Sequence, residues 1–307
     1  AKNDVLRKDA KGPILSVRWV DEDRAGGVKS RICARPFNKV SKPKDYLFAP
    51  TPTSATVKLL LVIAQMLGCQ VKFFDISRAF LHTPIQENVC LEPPADYRKY
   101  YMDVYGVDPG DVVWQLECTI YGLKEAMCDF DKHFEEINVG SLDMRRLVAD
   151  PAVYVNDGTG IIMSKHVDDG IMVGSKEAVE EYELKLRDHF MLKSSAFMHI
   201  GDEHMYLGRA VRRVEGGFAI RCSDKLVESF LEDLELVKCK STPTPGLKVE
   251  CRVPQEEALG PEDARKLRGA IGRLMYIAHE RCDVQFAAKE IARGAAKLST
   301  GDIVRIK

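Results

Sequence analysis

Two acidic residues, Asp168 and Asp169, stand between the apolar runs 161–167 and 171–173, and no other feature narrows the folds open to this chain as far. Ile161, Ile162, Met163 and Val167 leave neither face of the first run polar, the mark of a strand buried on both sides. Asp followed by Gly is hairpin chemistry, so the turn is expected at Asp168–Gly170, with strands before and after it. By itself such a turn needs no further role. A third acid, Asp75, ends another short apolar run, 71–74, and gives the pair a candidate companion. Acids brought together repel, and one tends to keep its proton unless a cation of high charge density lies between them. Carboxylates are hard oxygen donors that suit Mg²⁺, and two such ions can activate a hydroxyl and neutralise a departing phosphate.

The rest of the chain mixes strand and helix periodicity. Leu15, Val17 and Trp19 alternate with polar residues, 21–27 supplies turn chemistry, and Val28, Ser30, Ile32 and Ala34 alternate again, which predicts a β-hairpin. Lys29, Arg31, Cys33 and Arg35 then share its other face, a cationic one. Solvation alone explains such a face, yet guanidinium and ammonium groups also suit polyphosphate. Thr53 or Ser54 caps a helix through Leu67 that stops at Gly68. Ala126, Phe130, Phe134 and Ile137 keep helical spacing, as do Tyr182, Leu186 and Phe190 in a helix capped by Ser175. Strands are expected at 152–155, 161–167 and 171–173. A further hairpin joins 204–213 to 218–222 through Glu215, Gly216 and Gly217, before a helix capped by Ser223. The stretch 242–261 marks a lobe boundary, and a last helix opens at Pro261, Glu262 and Asp263 and buries Leu267, Ile271, Leu274 and Ala278. Short hairpins favour antiparallel pairing, so the fold class is α+β.

With 307 residues, 45% of them hydrophobic, the chain can bury a large core in two or more lobes. Its 45 basic and 46 acidic residues give a net charge of −1, so any polyanion must be met by local patches rather than a global field. Lys29, Arg31, Arg35, Lys39, Lys42 and Lys44 form one such patch, and a second runs from Arg265 to the end. Nine cysteines without a CxxC pair fit neither a disulfide framework nor a zinc ribbon, which implies a reducing, intracellular setting. The polar start and the short apolar run 57–67, broken by Lys58 and Gln65, imply no signal peptide and no membrane span. The missing initiator methionine suggests a piece of a longer chain.

Four segments now fall into one order: KSRICAR (29–35), FFDISRAFL (73–81), YGLKEA (121–126) and HVDDGIMVGS (166–175). Together they resemble the reverse transcriptase of copia/Ty-type retrotransposons. YLGRAV (206–211), STPTP (241–245) and GAIGRLMYIAHERCDVQFA (269–287) are similar to that family's later segments, and the likeness covers about residues 28–293. It implies a right-hand polymerase with an antiparallel palm sheet: fingers in 1–70 and 85–125, a palm strand in 71–84, the rest of the palm in 126–222, and a thumb or connection-like helical region in 223–307. By the same resemblance Asp75, Asp168 and Asp169 would be metal ligands, with the Ile76 carbonyl, for two Mg²⁺ ions that Mn²⁺ could replace. Lys29 and Arg31 would contact the dNTP triphosphate, and the backbone at Arg78 and Ala79 would cradle it. Phe80 would be the steric gate against a ribose 2′-hydroxyl. Tyr121 and Gly122 would lie along the nucleotide pocket and template, and Tyr206, Leu207 and Gly208 would grip the primer. The implied partners are an RNA template, a DNA or RNA primer and dNTPs, with no membrane. Integrase and RNase H domains would belong to the parent polyprotein, and the expected location is a cytoplasmic virus-like particle or, alternatively, the nucleus.

Three departures stand out: His166 where the family usually has Tyr, Met127 and Phe130 near its usual Pro and Trp, and Pro36 where Gly is common. His166 brings a side chain that ordinarily changes charge near neutral pH beside the acidic pair. Two rivals stay open, a non-catalytic or domesticated relic that binds RNA or a partner chain, and another palm-type nucleotidyl transferase. The pairs Cys128/His133 and His199/His204 lack a full metal spacing and are read as ordinary core or surface residues. Trp19 and Trp114 are read as core. No GxxxxGK, GxSxG or HExxH segment occurs.

Overall fold

A computed structural model describes residues 2–24, 26–35, 47–106, 108–240 and 257–306. Pro36, Lys39, Lys42, Lys44 and residues 241–245, singled out above, lie outside the described residues. The chain forms two compact units, Ala1–Phe197 and Met198–Lys307. Its elements are helical and antiparallel in the main, the α+β class expected from the hairpins. No helix among the described residues is long and apolar enough to cross a membrane.

The first unit runs β1 (Lys2–Leu6), β2 (Ile14–Arg24), β3 (Gly27–Arg35), α1 (Ser54–Leu67), β4 (Gln70–Ile76), β5 (Cys90–Leu91), α2 (Ala95–Tyr105), β6 (Val112–Leu116) and α3 (Ala126–Gly140). It continues through β7 (Arg145–Arg146), β8 (Val153–Val155), β9 (Ile162–His166), β10 (Asp169–Gly174), α4 (Lys176–Arg187) and β11 (Leu192–Ser194). One sheet has the order β1-β6-β5-β2-β3, the other β11-β4-β10-β9-β8-β7. The β2–β3 hairpin is longer than its sequence suggests. The acidic stretch taken for a turn is strand, with Glu22 opposite Lys29 and Asp23 opposite Val28, because opposite charges facing across a ladder stabilise pairing.

Local signals place the helices well. Thr53 Oγ1 accepts the Thr56 amide at the start of α1, and Gly68 closes it in the left-handed region (φ 65°). Ser175 caps α4 in the same way through the Ala178 amide. One face of the six-stranded sheet is buried under α3 and α4, where Phe74, Phe130, Phe134, Met163, Met172, Tyr182 and Phe190 form a continuous core. A fully buried apolar side chain of this size contributes about 1.5–3 kcal/mol. Within that core Lys165 of β9 is buried, its Nζ 2.6 Å from Asp131, which also accepts from Arg146 at 2.7 Å. Pairing and hydrogen bonding are what make a buried ammonium tolerable. α1 packs on β4 and β10, whose other side chains face away from that core.

The second unit holds β12 (Glu203–Tyr206), β13 (Arg209–Val214), β14 (Gly217–Cys222), α5 (Asp224–Asp233), α6 (Pro261–Ile277), α7 (Gln285–Arg293) and α8 (Thr300–Ile306). Sequence periodicity suggested one strand over 204–213. The structure breaks it at Leu207–Gly208, both at positive φ, into two strands of a three-stranded sheet. Alternation persists across such a tight turn, so the periodicity alone could not show the break. Helices α5 to α8 gather around Phe230, Leu267, Ile271 and Leu298.

Candidate active site

Four adjacent strands of the larger sheet present one cross-strand row. Lys193 on β11, Asp75 on β4, Asp169 on β10 and His166 on β9 are successive register partners. Side chains directly opposite each other share a face. The four therefore point away from Lys165, Gly170 and Phe74, which belong to the buried side. Asp168 occupies the turn, and its carbonyl accepts the Ile76 amide at 2.8 Å. That backbone bond ties the hairpin tip to the end of the strand that carries Asp75.

The turn itself closes one residue earlier than expected. Val167 and Asp168 form a two-residue connection between the pair His166/Asp169, with Val167 at φ 56°. Gly170 is a strand residue, and its role is packing: a Cβ there would lie 2.1 Å from the Phe74 ring. The Asp–Gly pair marked the right hairpin for the wrong reason.

An open cavity of about 800 Å³ stands over the Lys193–Asp75 end of the row. Asp75, Ile76, Ser77, Arg78, Asp168 and Lys193 line it from the sheet, and Trp19, Lys29, Arg31, Ile32 and Tyr121 line it from the remainder of the unit. The β2–β3 ribbon reaches it because the Ala34 amide donates to the Tyr121 carbonyl at 2.8 Å. Gly122 (φ 92°) allows that approach, since a Cβ there would come 2.2 Å from the Ala34 carbonyl oxygen. Arg31 lies over the Tyr121 ring at 5.7 Å and pairs with Glu22 at 3.2 Å.

Ala79, Phe80, Gly122 and Asp169 do not line the cavity. Ala79 is buried, and the half-buried Phe80 sets its ring edge against Tyr121 at 4.9 Å, beside Phe130 at 6.3 Å. Thr119 Oγ1 donates to the Phe80 carbonyl at 2.6 Å and fixes this short turn of helix, which Arg78 enters at φ 58°. The loop after Asp75 is held as well: the Ser77 amide donates to the Met191 carbonyl at 2.8 Å, and a ring nitrogen of His82 lies 3.1 Å from the Ser77 carbonyl.

Charge is concentrated here. Burial, then Asp168 and Asp75, push the Asp169 carboxyl up to about 6. Burial and then Asp75 also raise Asp168, partly opposed by a hydrogen bond from its own backbone and by His166 and Arg31. Burial and Asp168 likewise keep the Tyr121 phenol protonated to higher pH. Hard carboxylate oxygens that resist sharing negative charge form a donor set suited to a divalent ion of the Mg²⁺ type. The acids are adjacent without being closed into a cage: among the described residues no three His, Cys, Asp or Glu side chains gather around one point. The Cys128/His133 and His199/His204 pairs form no such group either.

Lys193 and Trp19 are among the cavity residues that escaped the sequence reading. Lys193 lies in a three-residue strand too short to show a period. Trp19, taken for core, is 47% exposed and faces the cavity, whereas Trp114 is buried as expected. Alternation put Trp19 on the ribbon, but which face meets the core depends on neighbours distant in sequence.

The family profile described as reverse transcriptase (RNA-dependent DNA polymerase) matches residues 6–248. The chain belongs to this family. The resemblance to copia-type reverse transcriptases is thereby borne out. A retrovirus-related Pol polyprotein from transposon TNT 1-94 of Nicotiana tabacum is 26% identical over 297 residues, which cover 91% of this chain and 21% of that polyprotein. One from transposon RE2 of Arabidopsis thaliana is 23% identical over 294 residues, covering 91% of this chain and 19% of its own length. The reverse-transcriptase chain thus spans about a fifth of these curated relatives. Among solved structures, a foamy viral protease–reverse transcriptase in complex with double-stranded DNA aligns over 99% of this chain and 44% of that one, at 10% identity and a TM-score of 0.45.

Proposed function

We propose that this chain is the RNA-directed DNA polymerase part of a copia-type retrotransposon polyprotein, a nucleotidyltransferase that adds dNTPs to a primer 3′-hydroxyl on an RNA template. The observation that carries the reading is the register of Asp75 with Asp169, together with a cavity lined by Asp75, Asp168, Lys29 and Arg31. Asp75, Asp168 and Asp169, with the Ile76 carbonyl, would hold two Mg²⁺ ions, Mn²⁺ being an expected substitute. Divalent ions held there supply Lewis-acid activation of a hydroxyl and neutralise a departing pyrophosphate. Lys29 and Arg31 neutralise and orient the triphosphate from the ribbon side, and the backbone at Arg78 and Ala79 completes its cradle. Phe80, wedged against Tyr121, acts as the gate that leaves no room for a ribose 2′-hydroxyl. Gly122 contributes by bringing the ribbon and Tyr121 together. Most of the catalytic effect comes from positioning and electrostatics.

In this reading 1–70 and 85–125 act as fingers and 71–84 with 126–222 as palm of a right-hand polymerase, while 223–307 forms the thumb or connection-like region. The Leu207–Gly208 turn serves the primer. The parent polyprotein would work inside the cell, in a cytoplasmic particle, with integrase and RNase H elsewhere along it. A non-catalytic relic that binds RNA or a partner chain is the second reading, favoured by His166 beside the acids and by Met127.

Primer extension on RNA and DNA templates, with Mg²⁺ or Mn²⁺ and with dNTPs or NTPs, separates these readings. Asp168→Asn should cut extension by orders of magnitude while leaving the melting temperature close to wild type. Undiminished turnover in that variant would remove the acids from the mechanism, and no extension by the wild type under any condition would favour the relic.

A further inference from the structure

We propose that Trp19 is a nucleobase-stacking residue of the catalytic cavity, an inference that rests on the polymerase reading and adds to it the contact for the uncharged, planar part of the substrate. Trp19 lines the same cavity as Asp75, Asp168 and Arg31, yet almost half of its surface is open. β2–β3 register sets it opposite Ile32, so the indole stands on the ribbon face that also carries an apolar cavity residue. The cavity's groups sort by chemistry. Lys29, Arg31 and Arg78 suit phosphates, and the carboxylates suit cations. Neither set offers an open aromatic face to a flat heterocycle. Tyr121, the other aromatic residue in the lining, already has Phe80 against its ring and Arg31 over it. Among the described residues no ring and no cationic head group packs on Trp19.

An indole face left open in a cavity that handles charge at its floor is a stacking platform for any base, because every base offers a π-face and the contact tolerates sequence. Two sources share that chemistry, the base of the incoming nucleotide and an unpaired template base. Experiment can tell them apart.

The chain has two tryptophans, and Trp114 is buried with Tyr97 packed edge-on at 4.9 Å. A change in tryptophan emission on adding ligand therefore reports chiefly on Trp19. The titrations use four probes on the full chain: dATP, tripolyphosphate, a blunt primer–template duplex, and a duplex with a template overhang either intact or abasic at its first unpaired position. Asp168→Asn serves as a second background in which turnover is suppressed. Quenching by dATP but not tripolyphosphate assigns the stack to the incoming nucleotide. Quenching by the intact but not the abasic overhang assigns it to the template. Trp19→Ala should raise the corresponding Kd, and the KM for extension, by roughly tenfold with kcat little changed, while Trp19→Phe should restore most of the loss. Equal quenching by tripolyphosphate or by the abasic duplex overturns the proposal, as does a Trp19→Ala protein with wild-type Kd and an unaltered melting curve. Base-dependent quenching without any extension would instead overturn the polymerase reading and leave the stacking site standing.

Discussion

At Val167 and again at Leu207 the chain forces a bulky residue into the left-handed region to close a two-residue hairpin, and the two sites bear that strain in different ways. The β12–β13 turn continues into Gly208 at φ 72°, so both central residues have positive φ, the geometry that matches the natural twist of paired strands. A side chain completes it: the Tyr276 hydroxyl donates to the Leu207 carbonyl at 2.5 Å, and Arg209 bonds Tyr276 at 2.9 Å and Glu280 at 2.8 Å. The β9–β10 turn lacks the glycine, and among the described residues no side chain of another element braces it. Val167 is β-branched, the kind of residue least tolerant of this region. What holds it is the Ile76 amide on the Asp168 carbonyl, which belongs to the strand bearing Asp75. In the first unit the bond that offsets the strain also aligns the acids, whereas in the second the support is separate from the residues that face outward. Strain that accompanies functional placement is a recurrent pattern at active sites.

Glycine substitutions test this contrast most severely. Gly170→Ala drives a methyl into the Phe74 ring, beneath the acids, and is expected to cost about 3 kcal/mol through overpacking and to lower primer extension with it. Gly208→Ala meets only the Tyr276 hydroxyl, at 3.0 Å, and adds the left-handed penalty, about 1–2 kcal/mol in all. Chemical denaturation of both variants decides it. Equal losses, or a larger one at Gly208, would mean the sheet under the acids is looser than its packing implies.

The acids supply the next test, because nothing like their mutual repulsion exists at the other tip. Burial and its two neighbours raise Asp169 to about 6, so the folded chain holds this proton more tightly than the unfolded one. Stability from this group is therefore greatest at low pH and declines as pH climbs from about 4 to about 6. Beyond that range the ionised acid is a standing cost that a divalent ion relieves, and ion binding requires the deprotonated form. Mg²⁺ should thus raise the melting temperature clearly near about pH 7.5 and little near about pH 5. EDTA should reverse the gain, and Asp169→Asn should abolish it together with this part of the pH slope. A Mg²⁺ effect of the same size at both pH values would contradict the assignment.

Smaller still is the effect of relieving the strain itself. Asn is the non-glycine residue that enters the left-handed region most readily. Val167→Asn is expected to stabilise the chain by about 1 kcal/mol, and Leu207→Asn by less, since leucine is unbranched at Cβ and its turn is already braced. Extension should change little in either variant, because the Ile76 amide still holds the Asp168 carbonyl. Unfolding midpoints in the reverse order would show that Val167 is held by side-chain packing instead of tolerated in spite of its backbone.

The two tips also show what the sequence could convey. Apolar runs around the acids, the caps at Thr53, Ser175 and Ser223, and Asp75 at a strand end are local patterns, and the structure keeps each of them. Register is not local. Nothing in residues 70–76 alone says that Asp75 will face Asp169 rather than its neighbour, nor that Lys193 will complete the row from a strand three residues long. Gly170 and Gly122 illustrate the same limit, since each reads as a turn or pocket glycine until the ring or carbonyl that needs the space comes into view. The Leu207 turn hides inside an unbroken alternation for the same reason.

The closing pairs of the two hairpins differ in one last respect, and it yields the most delicate test. Tyr206 and Arg209 close the β12–β13 turn, and a guanidinium keeps its charge across the working range of pH. His166 and Asp169 close the other, so an imidazole, which ordinarily changes charge near neutrality, stands in the row of acids. Positive charge on His166 favours the ionised form of Asp168. Extension should therefore depend on pH more steeply in the wild type than in His166→Tyr, which keeps an aromatic side chain at the pair but removes the titrating charge. The rate difference between the two proteins is expected to be modest, about two- to fivefold across the range, because the histidine is half exposed and solvent screens its field. Parallel profiles would show that the tip of the acidic hairpin is electrostatically as indifferent to its closing partner as the tip of the second unit.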